Sequence, residues 1–178
     1  MNRSLIANRY AKALFMLAQE QQVLDDVYQD MKLLLNYCKE AEGFIELLYS
    51  PVIKPGQKRK AFHSVLDGAI SINSRNLVDL LITNKREVLL EDISRQVVEL
   101  YKSDKGIKTV TVFTAIALND SQFQALKQFL HDHLRASIEL TIKVKPELLG
   151  GFILMVDGKM ADASMSSKLK KIKRQLLS

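Results

Sequence analysis

Few residues in this sequence could bind a metal or act as a nucleophile: it contains three histidines and one cysteine. His131 and His133 are two positions apart in a segment with helical periodicity. Their side chains should therefore lie about 200° apart around the helix axis, so they cannot share one metal ion. His63, in a basic stretch, is expected to be a partly exposed helix residue. Cys38 has no partner for a CxxC motif, and we expect a small buried side chain rather than a reactive thiol.

The segment from Gly151 to Lys159 shares one feature with a phosphate-binding loop, because a Gly-Lys pair ends it. A phosphate loop follows the pattern GxxxxGK[S/T], whereas six residues separate Gly151 from Gly158 and Met160 replaces the Ser or Thr. Asp157-Gly158 is instead a β-hairpin signal. The sequence therefore argues against nucleotide binding. No combination of nucleophile and base indicates an enzyme, and neither a metal nor a cofactor is expected.

The charge of the chain is concentrated at one end. The 178 residues carry a net charge of +6, and the last eleven alone contribute five cations and no acid. These cations are Lys168, Lys170, Lys171, Lys173 and Arg174. Nucleic-acid-binding proteins usually show a positive stripe or face, so a basic RNA- or DNA-binding adaptor remains only an alternative. The sequence has neither a signal-peptide pattern nor an apolar run long enough to span a bilayer, and we expect an intracellular, soluble protein.

The hydrophobic periodicity predicts two domains. Up to about residue 105 the apolar residues recur with helical spacing, and after Gly106 they alternate as in strands. Predicted helices cover about 4–20, 22–39, 41–49, 57–66, 74–84 and 87–102, with Ser4 as the first N-cap. Predicted strands cover 108–114, 137–145 and 152–156 with a hairpin to Met160, beside helices at 119–134 and 166–177. The expected fold is mainly α: an N-terminal six-helix bundle followed by a smaller α+β domain.

Two predicted helices carry unusually wide apolar stripes. On the first helix apolar residues cover roughly 200°, about twice the arc that a core-facing helix needs. They run from Ala13 through Ile6, Leu17, Tyr10, Leu14, Ala7, Ala18 and Ala11 to Phe15. The fifth helix is similar, with Leu80, Leu77, Leu81, Val78 and Ile82. Either these helices lie at the centre of the bundle, or together they expose a groove for an amphipathic helix of a partner.

Several segments resemble one protein family across essentially the whole chain. They are ANRYAKALF at 7–15, SPVI at 50–53, NKR at 84–86, PELLGGF at 146–152 and DAS at 162–164. These segments resemble the delta subunit of bacterial F-type ATP synthase, which is related to the mitochondrial oligomycin-sensitivity-conferring protein. Ala163 departs from the glycine that is usual in the last motif.

The resemblance implies a non-catalytic stator subunit in the peripheral stalk, at the cytoplasmic face of the bacterial membrane. It implies that residues 1–105 bind the N-terminal helix of an alpha subunit, and that residues 106–178 contact the C-terminal ends of the b subunits. The chain would thereby connect the alpha/beta head to the membrane. Of the groove residues, Tyr10 and Ala13 match the first-helix motif of the family, and Ile6 and Leu17 join them because they face the same way. On the fifth helix we infer Leu77, Leu80 and Asn84, which lie on one side. Ala7, Ala11 and Ala18 are assigned to the core.

Overall fold

The computed structural model describes residues 3–167 and Leu169, and the chain divides into two compact units, Met1–Lys102 and Ser103–Ser178. The chain is mainly helical with one four-stranded mixed sheet. The helices before the sheet are α1 (Arg3–Glu20), α2 (Leu24–Glu40), α3 (Glu42–Tyr49), α4 (Pro55–Leu66), α5 (Ile72–Thr83) and α6 (Leu90–Asp104). A 3-10 turn, Glu87–Leu89, precedes α6. The predicted single helix over 87–102 is therefore two elements.

Local capping decides where the helices begin. Helix α5 starts at Ile72, two residues before the predicted start, because the Ser71 side chain accepts the Ser74 N–H at 3.4 Å. Helix α4 starts at Pro55, whose fixed φ suits the first turn of a helix. The predicted N-cap at Ser4 is wrong, since α1 already includes Arg3.

The core of the first unit depends on close packing of α1. Ala7, Ala11 and Ala18 are fully buried, which confirms their assignment to the core. Their small side chains allow the α1 backbone to lie near its neighbours. The largest fully buried side chains around them are Phe62, Met31, Leu34, Leu48, Leu81, Ile82, Leu90, Ile93, Val27 and Val97. One face of α1 is therefore committed to the interior.

A buried ion pair connects three elements of this unit. The Lys58 ammonium, on α4, donates to the Leu48 carbonyl of α3 at 3.2 Å and to the Glu87 carboxylate at 2.5 Å. The Lys58 and Glu87 side chains are 5% and 14% exposed. A charge this deeply buried needs its partner, because desolvation is costly. The pair therefore ties the 3-10 turn to α3 and α4.

Cys38 lies in the core, which confirms the expected buried side chain. Burial raises the pKa of its thiol to about 11, and the carboxylate of Glu91 adds to this effect. The nucleophilic thiolate is thus scarce near neutral pH. Cys38 is a packing residue in the folded protein.

The second unit is built around a mixed sheet. Its strands are β1 (Ile107–Thr114), β2 (Ser137–Val144), β3 (Phe152–Val156) and β4 (Lys159–Asp162), in the order β2-β1-β3-β4. Helix α7 (Asp120–Leu134) connects the parallel strands β1 and β2, as a parallel pair requires. The other strand pairs are antiparallel. Val110, Val112 and Leu130 form the buried centre between the sheet and α7.

Turn and cap signals in this unit agree with the prediction. Asn119 begins α7 through a capping box, accepting the Gln122 N–H at 2.8 Å while its own N–H donates to the Gln122 side chain. Asp157 and Gly158 both have positive φ, 46° and 81°, in the two-residue turn between β3 and β4. The predicted hairpin is confirmed, and the chain there does not have the strand-to-helix form of a phosphate loop.

The PELLGGF and DAS segments meet in a tight backbone contact. Gly151 has φ +73°, and a Cβ atom there would lie 2.4 Å from the Ala163 carbonyl oxygen. The Met165 N–H donates to the Gly150 carbonyl at 2.9 Å. The Asp162 carboxylate accepts the Ser164 N–H at 2.9 Å. The two motifs therefore fix the start of the helical turn at 165–167.

We expect Gly151→Ala to destabilise the second unit by about 3 kcal/mol, combining left-handed backbone strain with a steric clash. The matched control is Gly158→Ala, because Gly158 has a similar positive φ, 81°, but no atom within 4 Å of an added Cβ among those of the described residues. It should cost only about 1 kcal/mol. Urea unfolding of both variants measures the difference, and equal costs would show that the contact with Ala163 is unimportant.

Candidate functional site

An apolar groove lies on the surface between α1 and α5. Its volume is about 190 Å³. The lining residues are Tyr10, Ala13, Leu14, Leu17, Asn73, Asn76, Leu77 and Leu80. Five predicted site residues are therefore brought together here: Tyr10, Ala13, Leu17, Leu77 and Leu80. Of the remaining two, Asn84 lies beside the groove, where it bonds to Tyr10, whereas Ile6 does not line the groove and packs against the core.

The groove exists because both helices have more apolar surface than the core covers. On α1 the buried alanines leave Ala13 and Leu17 exposed. On α5, Leu77 is only 6% exposed and forms the floor, whereas Leu80, one turn on, is 48% exposed. Each wide apolar stripe thus packs into the core along one side and faces solvent along the other. An exposed apolar groove of this kind can bind the apolar face of an amphipathic helix.

The two ends of the groove differ in chemistry. At one end the Tyr10 hydroxyl accepts hydrogen bonds from Asn84 Nδ2 at 3.3 Å and from the Arg86 guanidinium at 3.0 Å. At the other end Asn73 Nδ2 donates to Gln21 Oε1 at 2.7 Å. These contacts also show that α1 and α5 run in opposite directions. One end therefore carries a cation and the other carries neutral amides.

Sequence reasoning missed several groove residues. Asn73 and Asn76 lie four residues before Leu77 and Leu80, on the same face of α5. The helical spacing that identified the two leucines could therefore have identified both asparagines. Arg86 lies beyond the helix and no periodicity selects it. Only the NKR segment at 84–86 pointed to this position.

The three histidines contact nearby groups of the fold. His63 Nε2 lies 2.9 Å from the Asp79 carboxylate, and His133 Nδ1 lies 2.8 Å from the Phe129 carbonyl. His131 Nδ1 lies 3.5 Å from the Asp132 carboxylate. Within residues 3–167 and Leu169, no three His, Cys, Asp or Glu side chains are grouped as a metal site requires.

A second apolar pocket, of about 430 Å³, lies in the second unit where β1 ends. Its lining residues are Val112, Thr114, Ala115, Ile116, Leu118, Gln122, Leu126, Leu149, Gly150, Gly151 and Phe152. Ile116, Leu149 and Phe152 are exposed around it. Sequence reasoning missed this pocket, although the PELLGGF motif forms one of its walls. The basic residues from Lys168 to Arg174, and most of the predicted helix at 166–177, lie outside the described residues.

Comparisons with known proteins agree over nearly the full length of the chain. The family model for the ATP synthase delta (OSCP) subunit matches residues 6–176. ATP synthase subunit delta of Lactobacillus gasseri is 34% identical over 178 residues, which covers 99% of this chain and 97% of the relative. The chloroplastic ATP synthase subunit delta of Cyanidium caldarium is 29% identical over 171 residues, covering 96% of this chain and 93% of that one.

A chain in the cryo-EM structure of the Toxoplasma gondii mitochondrial ATP synthase hexamer has the same fold, with a TM-score of 0.79 and 23% identity over 97% of each chain. None of the helices in the described part of this chain is long and apolar enough to cross a membrane. With the family model covering residues 6–176 and the sequence motifs in their expected places, the chain belongs to the ATP synthase delta (OSCP) subunit family, whose members are structural, non-catalytic components of the peripheral stalk of F-type ATP synthase.

Proposed function

We propose that the groove between α1 and α5 captures the N-terminal helix of an alpha subunit and so holds the alpha/beta head against rotor torque. The observation that carries this proposal is the exposed apolar groove on two helices whose other faces are already buried. In this proposal the helices of 1–105 act as one six-helix bundle. The partner-binding residues are Ile6, Tyr10, Ala13, Leu17, Leu77, Leu80 and Asn84.

The dimensions of the groove suit a short helix. From Tyr10 to Glu20, α1 rises about 15 Å at roughly 1.5 Å per residue, which corresponds to about three helical turns. A stator joint must stay closed over many turnovers, so we expect nanomolar affinity, about −12 kcal/mol. An apolar helix buried in a preformed groove can provide this mainly through slow dissociation.

The second unit supplies the other attachment in this proposal. Residues 106–178 would receive the C-terminal ends of the b subunits, with the apolar pocket as the contact site. Exposed Ile116, Leu149 and Phe152 give that pocket an accessible apolar rim. The subunit would then connect the head to the membrane-anchored stalk at the cytoplasmic face of the bacterial membrane.

Titration calorimetry tests the proposal directly. The full chain is titrated with a synthetic peptide of the same organism's alpha-subunit N-terminus, at low and at high salt. We expect one site, nanomolar affinity, a negative heat-capacity change and only a few-fold dependence on salt. A peptide that does not bind would refute capture at the groove.

A nucleic-acid-binding adaptor would show the opposite salt dependence of binding in the calorimeter. Its affinity for RNA or DNA would fall steeply with salt, because phosphate contacts release counterions. Tight RNA or DNA binding with that dependence, together with no peptide binding, would favour the adaptor.

A further inference from the structure

The end of α5 holds Arg86 in a defined position. The helix ends in a Schellman motif, in which the Arg86 N–H donates to the Leu81 carbonyl at 2.8 Å and the Lys85 N–H to the Ile82 carbonyl at 3.1 Å. Lys85 adopts the left-handed conformation, with φ 54°, that this motif requires. The backbone therefore directs Arg86 back towards the groove.

Tyr10 then holds the Arg86 side chain at the end of the groove. The guanidinium donates to the Tyr10 hydroxyl at 3.0 Å and lies 5.9 Å from the centre of its ring. This contact uses one of the five N–H donors of a guanidinium. The other donors are available to a ligand that enters the groove beside Tyr10.

Arg86 differs from Arg59, Arg75 and Arg95 in its charge environment and shares with Arg3 and Arg9 the lack of a carboxylate partner among the described residues. Of these three, Arg86 is the one that bonds to a residue lining the groove, Tyr10. Arg59, Arg75 and Arg95 each pair with an Asp or Glu carboxylate of the chain. Among the described residues, no carboxylate lies within ion-pair distance of Arg86, which is exposed. A fixed guanidinium with open donors matches the two oxygens of a carboxylate.

We infer that Arg86 pairs with an Asp or Glu side chain of the bound helix and thereby fixes the direction of that helix in the groove. The inference rests on the proposed capture of the alpha N-terminal helix. Direction can be selected because at the opposite end the two helices meet through the neutral amides of Gln21 and Asn73, and the residue before Gln21 is the exposed Glu20. A reversed helix would place its acidic side chain at that end, away from the Arg86 guanidinium.

A double-mutant cycle tests this pairing. The full chain and its Arg86→Met variant are titrated with the alpha N-terminal peptide and with peptides in which one acidic residue at a time becomes its amide. We expect Arg86→Met to weaken binding about tenfold, as for a charge-assisted bidentate contact. One of the amide peptides should bind the wild-type chain with the same loss of affinity. Binding of that peptide to the Arg86→Met variant should be almost no weaker than either single change alone. Arg95→Met, which removes a guanidinium paired with Glu91 on α6, should leave affinity unchanged.

The possible outcomes separate this inference from the proposed function. If the wild-type chain binds the peptide and Arg86→Met binds equally well, the pairing is refuted while capture stands. The pairing is equally refuted if Arg86→Met weakens binding but its loss adds fully to that of every amide peptide, since Arg86 would then act only by shaping Tyr10. If the wild-type chain does not bind the peptide, capture itself fails and the inference fails with it.

Discussion

Leu80→Asp is expected to abolish binding of the alpha N-terminal peptide, weakening it by more than about 100-fold, while the first unit stays folded. Leu80 is 48% exposed in the free chain, so a carboxylate there remains hydrated until the partner arrives. Binding would then bury the carboxylate against the apolar face of the partner helix, at a cost of several kcal/mol. Calorimetry measures the affinity, and circular dichroism with urea unfolding shows that the fold is retained.

Val65→Asp is the matched control for this experiment. Val65 lies on α4, is 47% exposed and does not line the groove. The same change of apolar side chain to carboxylate should therefore leave peptide affinity unchanged. Normal binding by the Leu80 variant, or equal losses in both variants, would contradict the assignment of the groove.

Lys58→Met is expected to have the largest effect on stability, about 3–5 kcal/mol in the free energy of unfolding. The ammonium of Lys58 is the ion-pair partner of the buried Glu87 carboxylate, whose other oxygen has no hydrogen-bond partner among the described residues. The variant leaves that carboxylate uncompensated, and it also removes the donor to the Leu48 carbonyl.

Two comparisons separate the buried charge from a simple loss of packing. Adding Glu87→Met to Lys58→Met should recover much of the stability, because the unpaired charge is then gone. Arg95→Met, which breaks an exposed pair with Glu91, should cost less than about 1 kcal/mol. Urea unfolding gives the free energies, and alkylation of Cys38 reports opening of the core. Equal costs for Lys58→Met and Arg95→Met would show that burial of the pair is unimportant.

Periodicity predicted the features that depend on neighbouring residues. The alternation after Gly106 predicted the strands, and Asp157-Gly158 predicted the hairpin that the structure confirms. The alanines of α1 were assigned to the core because they lie on the side of the apolar stripe away from Leu17. Each of these predictions uses only the spacing of residues within one helix, strand or hairpin, and that spacing can be read directly from the sequence.

The features that were missed depend on contacts between distant elements. Arg86 reaches Tyr10 only because a Schellman motif reverses the chain after α5, and these residues are 76 positions apart. The pocket of the second unit combines the end of β1 with α7 and with Leu149, which no single period connects. The early start of α5 depends on Ser71, whose hydroxyl also donates to Asp30 on α2.

The buried alanines of α1 affect how the proposed contact between subunits can vary. Ala7, Ala11 and Ala18 set how closely α1 approaches the interior, and therefore how far its outer face stands from α5. A bulkier residue at any of them would displace one wall of the groove without altering a single atom that the partner touches. In the proposed complex, the fit between subunits is thus specified on both faces of the same helix. Variation in partner affinity among relatives should be traced to these interior positions as well as to the contact surface.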